Sequence, residues 1–191
     1  METIARPRSA DKERAILSAA VRTIASQGLG AATSLIAKEA GVSNGSLFTY
    51  FGTKADLLNR LYLALKTEMA TAALSGLRPD SDLREQLLHL WVHWLRWATT
   101  CPEKRRTLAQ LDVSDEITPA SRQTARQTMA GIAGLLERSR ANGPLNGVPL
   151  EFVVALMSAL ADTTTDFMIR DPANADRHQQ TGFEALWRLV A

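Results

Sequence analysis

Residues 33–54, TSLIAKEAGVSNGSLFTYFGTK, constrain the fold of this chain more than any other stretch. Ile36, Ala40, Val42, Leu47 and Phe51 are its apolar positions, and their spacing is helical on either side of Gly41. Ala37 leaves room where one helix crosses closely over another. Gly41 stands where the first helix ends, a place where glycine takes the left-handed conformation without steric cost. Ser43 then caps the next helix by accepting a hydrogen bond from the free amides of its first turn. Two short helices around such a turn make a helix-turn-helix, whose second helix lies in the DNA major groove. The pattern predicts that this second helix is Ser43 to Tyr50. The competing reading is a packed helical hairpin whose polar first turn has no partner.

The rest of the chain reads as helix throughout, without a convincing alternating strand. A first helix is expected from about Ala10 to Ser26, burying Ile16, Ala19, Ala20, Thr23 and Ile24. Thr53 and Asp56 form a capping box that opens a fourth helix carrying Leu57, Leu58, Leu61, Leu65 and Met69 towards Leu77. Arg78-Pro79-Asp80 breaks the chain. Asp82 caps a helix with Leu83, Leu87, Leu90, Trp91, Trp94 and Leu95 on it. Pro102 starts a short helix, and Pro119 a longer one ending at Asn142-Gly143-Pro144. Pro149 to Arg170 is the most apolar segment, and a last helix holds Phe183, Leu186, Trp187 and Val190.

Composition narrows the class. With 191 residues, 46% of them hydrophobic and 22% charged, the chain is long and apolar enough for a sizeable core. The single cysteine, Cys101, forms no internal disulfide, and METIARPRSADKER lacks the apolar segment of a signal peptide. No apolar run is expected to reach membrane-spanning length. These features point to a reducing cytoplasm and no membrane. Residues 1–60 hold eight lysines and arginines against five acidic residues. The basic excess thus lies with the helix-turn-helix, as phosphate contact requires.

AILSAAVRTIASQG, Thr33, IAKEAGVSNGSLFTYF and the lysine of GTKADLL together resemble the tetracycline-repressor (TetR) family of bacterial transcription regulators. The resemblance runs from about Arg14 to Leu61. Residues 80–191 are similar only in length, helical content and helix order. It implies an all-α fold with a three-helix DNA-binding head and a helical regulatory body. It also implies a homodimer and repression relieved by a small ligand. The expected divisions are a head over 1–52, a linking helix over 53–79, and a ligand-binding and dimerisation body over 80–191.

Carried over position by position, the resemblance assigns Thr33 and Ser43 to phosphate. Asn44, Gly45, Ser46 and Phe48 face bases, and Thr49, Tyr50 and Lys54 hold the DNA backbone. Many relatives have tyrosine or histidine where this chain has Phe48 and Thr49. Phe48 donates no hydrogen bond, which leaves apolar contact, as with a thymine methyl. Asn44 can pair with an adenine edge. Lys54 fixes register without reading sequence. Two heads in a dimer would enter successive major grooves about 34 Å apart over a palindromic operator.

For the body, the expectation is an apolar or aromatic effector held by Trp91, Trp94, Trp97, Met129, Ile132, Leu136, Thr163 and Asp166. Core packing accounts for Trp91 and Trp94 at least as well as ligand contact does, and Trp97 is the better candidate for a pocket wall or an exposed ring. Phe152, Val153, Leu156, Ala159, Phe183, Leu186, Trp187 and Val190 are expected at the dimer interface. A second reading keeps DNA binding and makes control constitutive or dependent on a partner protein. A remote third uses Glu85, His89 and His93, four apart on one helical face, as metal ligands; the intervening residues lack the glutamate of zinc proteases. Cys101 shows no nearby base and reads as a passive thiol. The chain is expected to be no enzyme and to need no cofactor.

Overall fold

The computed structural model describes residues 6–191, so the first five residues of the expected head fall outside it. Among the described residues every regular element is helical. The helices are α1 (Arg6–Gln27), α2 (Thr33–Glu39), α3 (Asn44–Tyr50), α4 (Lys54–Leu74), α5 (Leu83–Thr100) and α6 (Pro102–Asp112). They continue with α7 (Pro119–Thr128), α8 (Ala130–Ser139), α9 (Leu150–Arg170) and α10 (Ala175–Val190); Pro172–Asn174 adds one 3₁₀ turn.

Local chemistry fixes most of the boundaries. Gly41 has φ 70°, the left-handed value expected of it. Ser43 Oγ accepts from the Ser46 amide at 3.0 Å and caps α3. Thr53 and Asp56 close their box reciprocally: the Thr53 amide donates to Asp56 Oδ2 at 3.0 Å, and the Asp56 amide donates to Thr53 Oγ1 at 3.1 Å. Asp82 accepts from the Glu85 amide at 2.8 Å. Pro102 and Pro119 are first residues of their helices, where a missing N–H costs nothing.

Two expectations change, one about helix extent and one about apolar length. The long helix expected from Pro119 to Ala141 is broken at Met129, whose ψ of 2° leaves the helical region. Gly131 and Gly134 follow directly, and each weakens a helix relative to alanine. α9 also proves long and apolar enough, by length and composition, to cross a membrane: an 18-residue window has mean hydropathy 1.4, of which 28% is buried. Its apolarity serves the protein core on one side and leaves a second apolar face uncovered.

The chain forms two compact units, and they do not follow the boundary expected at residue 79. One comprises residues up to Lys66 together with Pro102–Ala125; the other comprises Thr67–Cys101 and Arg126–Ala191. Long-range bonds explain why α6 and the α6–α7 loop join the N-terminal helices. The buried Thr107 hydroxyl donates to the Val21 carbonyl at 3.0 Å. Lys66 pairs with Asp112 at 2.8 Å. Asn59 donates to the Glu116 carbonyl at 2.8 Å and accepts from the Thr118 amide at 2.9 Å. Ile16, Ala20, Ile24, Ile36, Leu47, Leu57, Leu58 and Leu61 are buried in this unit, as the sequence pattern implied.

The second unit packs α5, α8, α9 and α10 around Trp91, with Leu87, Leu90, Leu136, Met157, Phe183 and Leu186. The Trp91 indole N–H donates to the Gln179 carbonyl at 3.0 Å, so the ring is both packed and satisfied. α10 crosses closely at Gly182, where an added Cβ would run into Thr164 and come within 2.9 Å of Trp91. The α8–α9 loop is gathered around Arg140, buried to 6% exposure, whose guanidinium donates to the Leu145 and Val148 carbonyls, each at 2.6 Å. Glu137 supplies its counter-charge at 2.7 Å.

Candidate nucleic-acid interface

The α2–α3 pair is held from behind and bare in front. Leu47 and Phe51 point inward and are buried; Ile36 and Ala37 do the same on α2. Arg22 of α1 ties Glu39 of α2 through a 2.6 Å ion pair. What α3 presents to solvent is Asn44, Gly45, Phe48 and Thr49, one continuous face at helical spacing, with Ser46 and Tyr50 half-buried at its edges.

Each expected residue can be placed on this face or behind it. Ser43 is exposed, its hydroxyl oxygen holding the Ser46 amide. Thr33 is half-buried at the start of α2, after Ala32, which gives no side-chain cap. A Cβ on Gly45 would meet nothing within 4 Å. Thr49 Oγ1 donates back to the Gly45 carbonyl at 3.1 Å, so its hydroxyl proton is already used. Lys54 Nζ donates to the Ala31 carbonyl at 2.8 Å, a bond no local spacing announced. Beyond Tyr50, an open groove of about 470 Å³ is lined by Glu13, Phe51, Gly52, Asp56 and Arg60 as well. Arg60 donates to Glu13 across it at 3.2 Å.

The residues expected to line an effector pocket are not gathered on one open surface. Trp91, Ile132 and Leu136 lie in the core of the second unit, with Trp94 and Met129 half-buried against it. Trp97, expected as a pocket wall or an exposed ring, is 6% exposed and donates its indole N–H to Glu68 at 3.0 Å. The reason is local: Glu68 lies where a polar tip can be satisfied inside. Thr163 is exposed and Asp166 half-buried, while the neighbouring Thr164 and Thr165 point inward. The Glu85, His89 and His93 set is not assembled as ligands. His89 and His93 stack with ring centroids 4.0 Å apart, and His89 Nε2 meets the Ser75 carbonyl at 2.9 Å. Among the described residues no three acidic, histidine or cysteine side chains are grouped to hold a metal.

The expected interface residues divide in two. Val153, Phe183, Leu186 and Val190 are buried within the subunit, so they cannot form its outer surface. They are apolar because α9 and α10 pack on α5 and α8. Phe152 and Ala159 are exposed, and Leu156 and Trp187 half-buried. The uncovered stripe on α9 runs through Phe152, Leu156, Ala159 and Thr163 to Phe167, which is 51% exposed. Sequence reading missed Phe167, although its spacing from Phe152 through those residues is the helical signal.

A helix-turn-helix packed on a first helix and followed by an all-helical body defines a class of DNA-binding regulators. Residues 16–61 match the profile of the bacterial regulatory proteins of the tetR family. The matched segment covers α2, α3 and their flanks, and the family it matches is one of transcription regulators and not of enzymes. It is 31% identical over 80 residues to an uncharacterized HTH-type transcriptional regulator, YhgD, of Bacillus subtilis (strain 168); that stretch is 41% of this chain and 42% of the relative. The match thus spans less than half of the curated relative's length. A tetR family transcription regulator from Marinobacter aquaeolei VT8 superposes with TM-score 0.85 at 25% identity, over 97% of this chain and 98% of that one. A proposed tetR family regulator from Shewanella sp. PV-4 gives TM-score 0.82 at 29% identity, over 92% and 96%.

Proposed function

We propose that the protein is a DNA-binding transcriptional regulator that acts in the bacterial cytoplasm as a homodimer on a palindromic operator. The observation that carries this reading is the exposed α3 face of Asn44, Gly45, Phe48 and Thr49, backed by buried Leu47 and Phe51. That arrangement leaves a rigid, side-chain-poor ridge free to enter a major groove. Phosphate contacts come from Ser43, Tyr50, Thr33 and Lys54, which flank the ridge. Thr49 joins them only if its hydroxyl gives up the bond to Gly45.

One head makes few base contacts, so useful specificity needs two. The apolar stripe of Phe152, Leu156, Ala159 and Phe167 on α9 is the surface that pairs the subunits. In this reading the protein is a repressor, released by a small apolar or aromatic effector that enters beside the half-buried Trp94 and Met129.

Selection of bound sequences from a random duplex pool tests the core of the reading. An enriched palindrome, bound by a dimer at moderate salt, supports it; binding no tighter than random competitor overturns it. Screening compounds for release of the winning operator tests the effector. Release by a small molecule alone supports the switch, and operator binding indifferent to every compound class favours constitutive or protein-controlled regulation.

A further inference from the structure

We infer that α3 reads the C5-methyl group of a pyrimidine through the ring of Phe48, so that a methyl group, and not a hydrogen-bonding edge, selects the base at that position. The inference rests on the DNA-binding reading above and specifies which chemistry the interface recognises.

Phe48 is 37% exposed on a helix whose packing is already met by Leu47 and Phe51. The outer part of the ring stays open to solvent on the face that α3 presents. It has neither donor nor acceptor, and the one apolar group that B-DNA presents in the major groove is the thymine methyl. Gly45, three residues earlier on the same face, leaves a bare stretch of helix beside the ring, open for 4 Å beyond an added Cβ. The groove floor can therefore approach Phe48 on the Gly45 side without meeting a side chain there. Thr49 does not compete for the base edge, because its hydroxyl donates to the Gly45 carbonyl at 3.1 Å.

The remaining side chains of α3 agree. Asn44 to Tyr50 contains no lysine or arginine, the residues that pair bidentately with guanine. Asn44, one turn before Phe48 and exposed beside it, has the amide that fits adenine. This helix therefore lacks the bidentate contact to guanine, whereas adenine and the thymine methyl each find a matching side chain on it. Because 5-methylcytosine carries the same methyl at the same place in the groove, the Phe48 position should accept it in place of thymine. The interface would then respond to cytosine methylation of its operator.

The experiment uses the full-length protein and the operator recovered by selection. Each thymine in both half-sites is replaced in turn by uracil, which differs only by the methyl, and affinity is read by fluorescence anisotropy. We expect one position per half-site at which uracil weakens binding about three- to tenfold. At that position a C·G pair should gain a similar factor when its cytosine is C5-methylated. Phe48→Ala, checked for folding by thermal melting, should bind thymine and uracil operators equally. Wild-type indifference to uracil at every position overturns the inference, as does a uracil effect that persists in Phe48→Ala. If selection enriches no sequence, the DNA-binding reading fails and takes this one with it; an operator bound well but insensitive to uracil sinks this inference alone.

Discussion

Lys54 Nζ lies 2.8 Å from the Ala31 carbonyl oxygen and so fastens the start of α4 to the turn that opens α2. The family resemblance gives the same ammonium group to a DNA phosphate. The two roles are compatible, since an ammonium has three donors and one is used here. Lys54→Ala should therefore cost about 1 kcal/mol of stability through the lost bond to Ala31, a residue only 5% exposed. It should also weaken binding to all duplexes and reduce the slope of log affinity against log salt by about 0.9. Urea melts together with titrations between about 50 and 200 mM salt measure both. An unchanged salt slope would leave Lys54 a structural residue only.

Gly45 separates the needs of the fold from those of the interface. It sits inside α3 with open space around its missing side chain, so alanine is free to occupy it. Gly45→Ala should stabilise the protein by about 0.5–1 kcal/mol through helix propensity. The same methyl would stand on the face proposed to meet DNA, and operator affinity should fall while the melting temperature rises. A variant that gains stability and keeps full affinity would move the close approach away from Gly45.

How much of this was legible beforehand depends on the range of the interaction. Gly41, Ser43, and the Thr53–Asp56 box act within four residues of themselves, and each appears where its spacing placed it. The grouping of α6 with the N-terminal helices depends on Thr107 reaching Val21 and on Asn59 reaching Glu116 and Thr118. Those are single side chains bonding distant backbone, and no periodicity encodes them. Trp97 was misjudged for a related reason: helical spacing gave its face but not the Glu68 carboxylate waiting there. On α9 both faces carry apolar residues, so hydrophobicity alone did not say which face turns inward. Val153, Phe183, Leu186 and Val190 turned out to be the inner set.

His93 gives the second unit a pH dependence. Burial lowers its pKa from the ordinary 6.5, and the neighbouring charges of His89 and Arg96 lower it further, against a raising bond to the Ala72 backbone. The unfolded chain thus takes up a proton at higher pH than the native one. Stability should be full above about 6.5, decline as pH falls from there to the depressed native value, and level off below it. Urea midpoints from pH 5 to 8 should show this decline in the wild type and a shallower one in His93→Gln. Equal slopes in the two proteins would assign the dependence to other groups.

The two faces of α9 make opposite predictions for the same chemical change. Val153 is 1% exposed within the subunit, so Val153→Glu buries a charge without a partner and should abolish folding, read as loss of a cooperative melt. Phe152 and Phe167 are 55% and 51% exposed on the other face. Glutamate at either position is solvated in the monomer and should leave the fold intact. If the stripe between them pairs two subunits, each substitution places like charges across the two-fold contact, where their desolvation is not offset. Sedimentation should then show a folded monomer at concentrations where the wild type is dimeric. Operator affinity should fall steeply, because two linked heads bind far more tightly than one. A Phe167→Glu protein that remains dimeric and binds normally would place the subunit contact on some other surface.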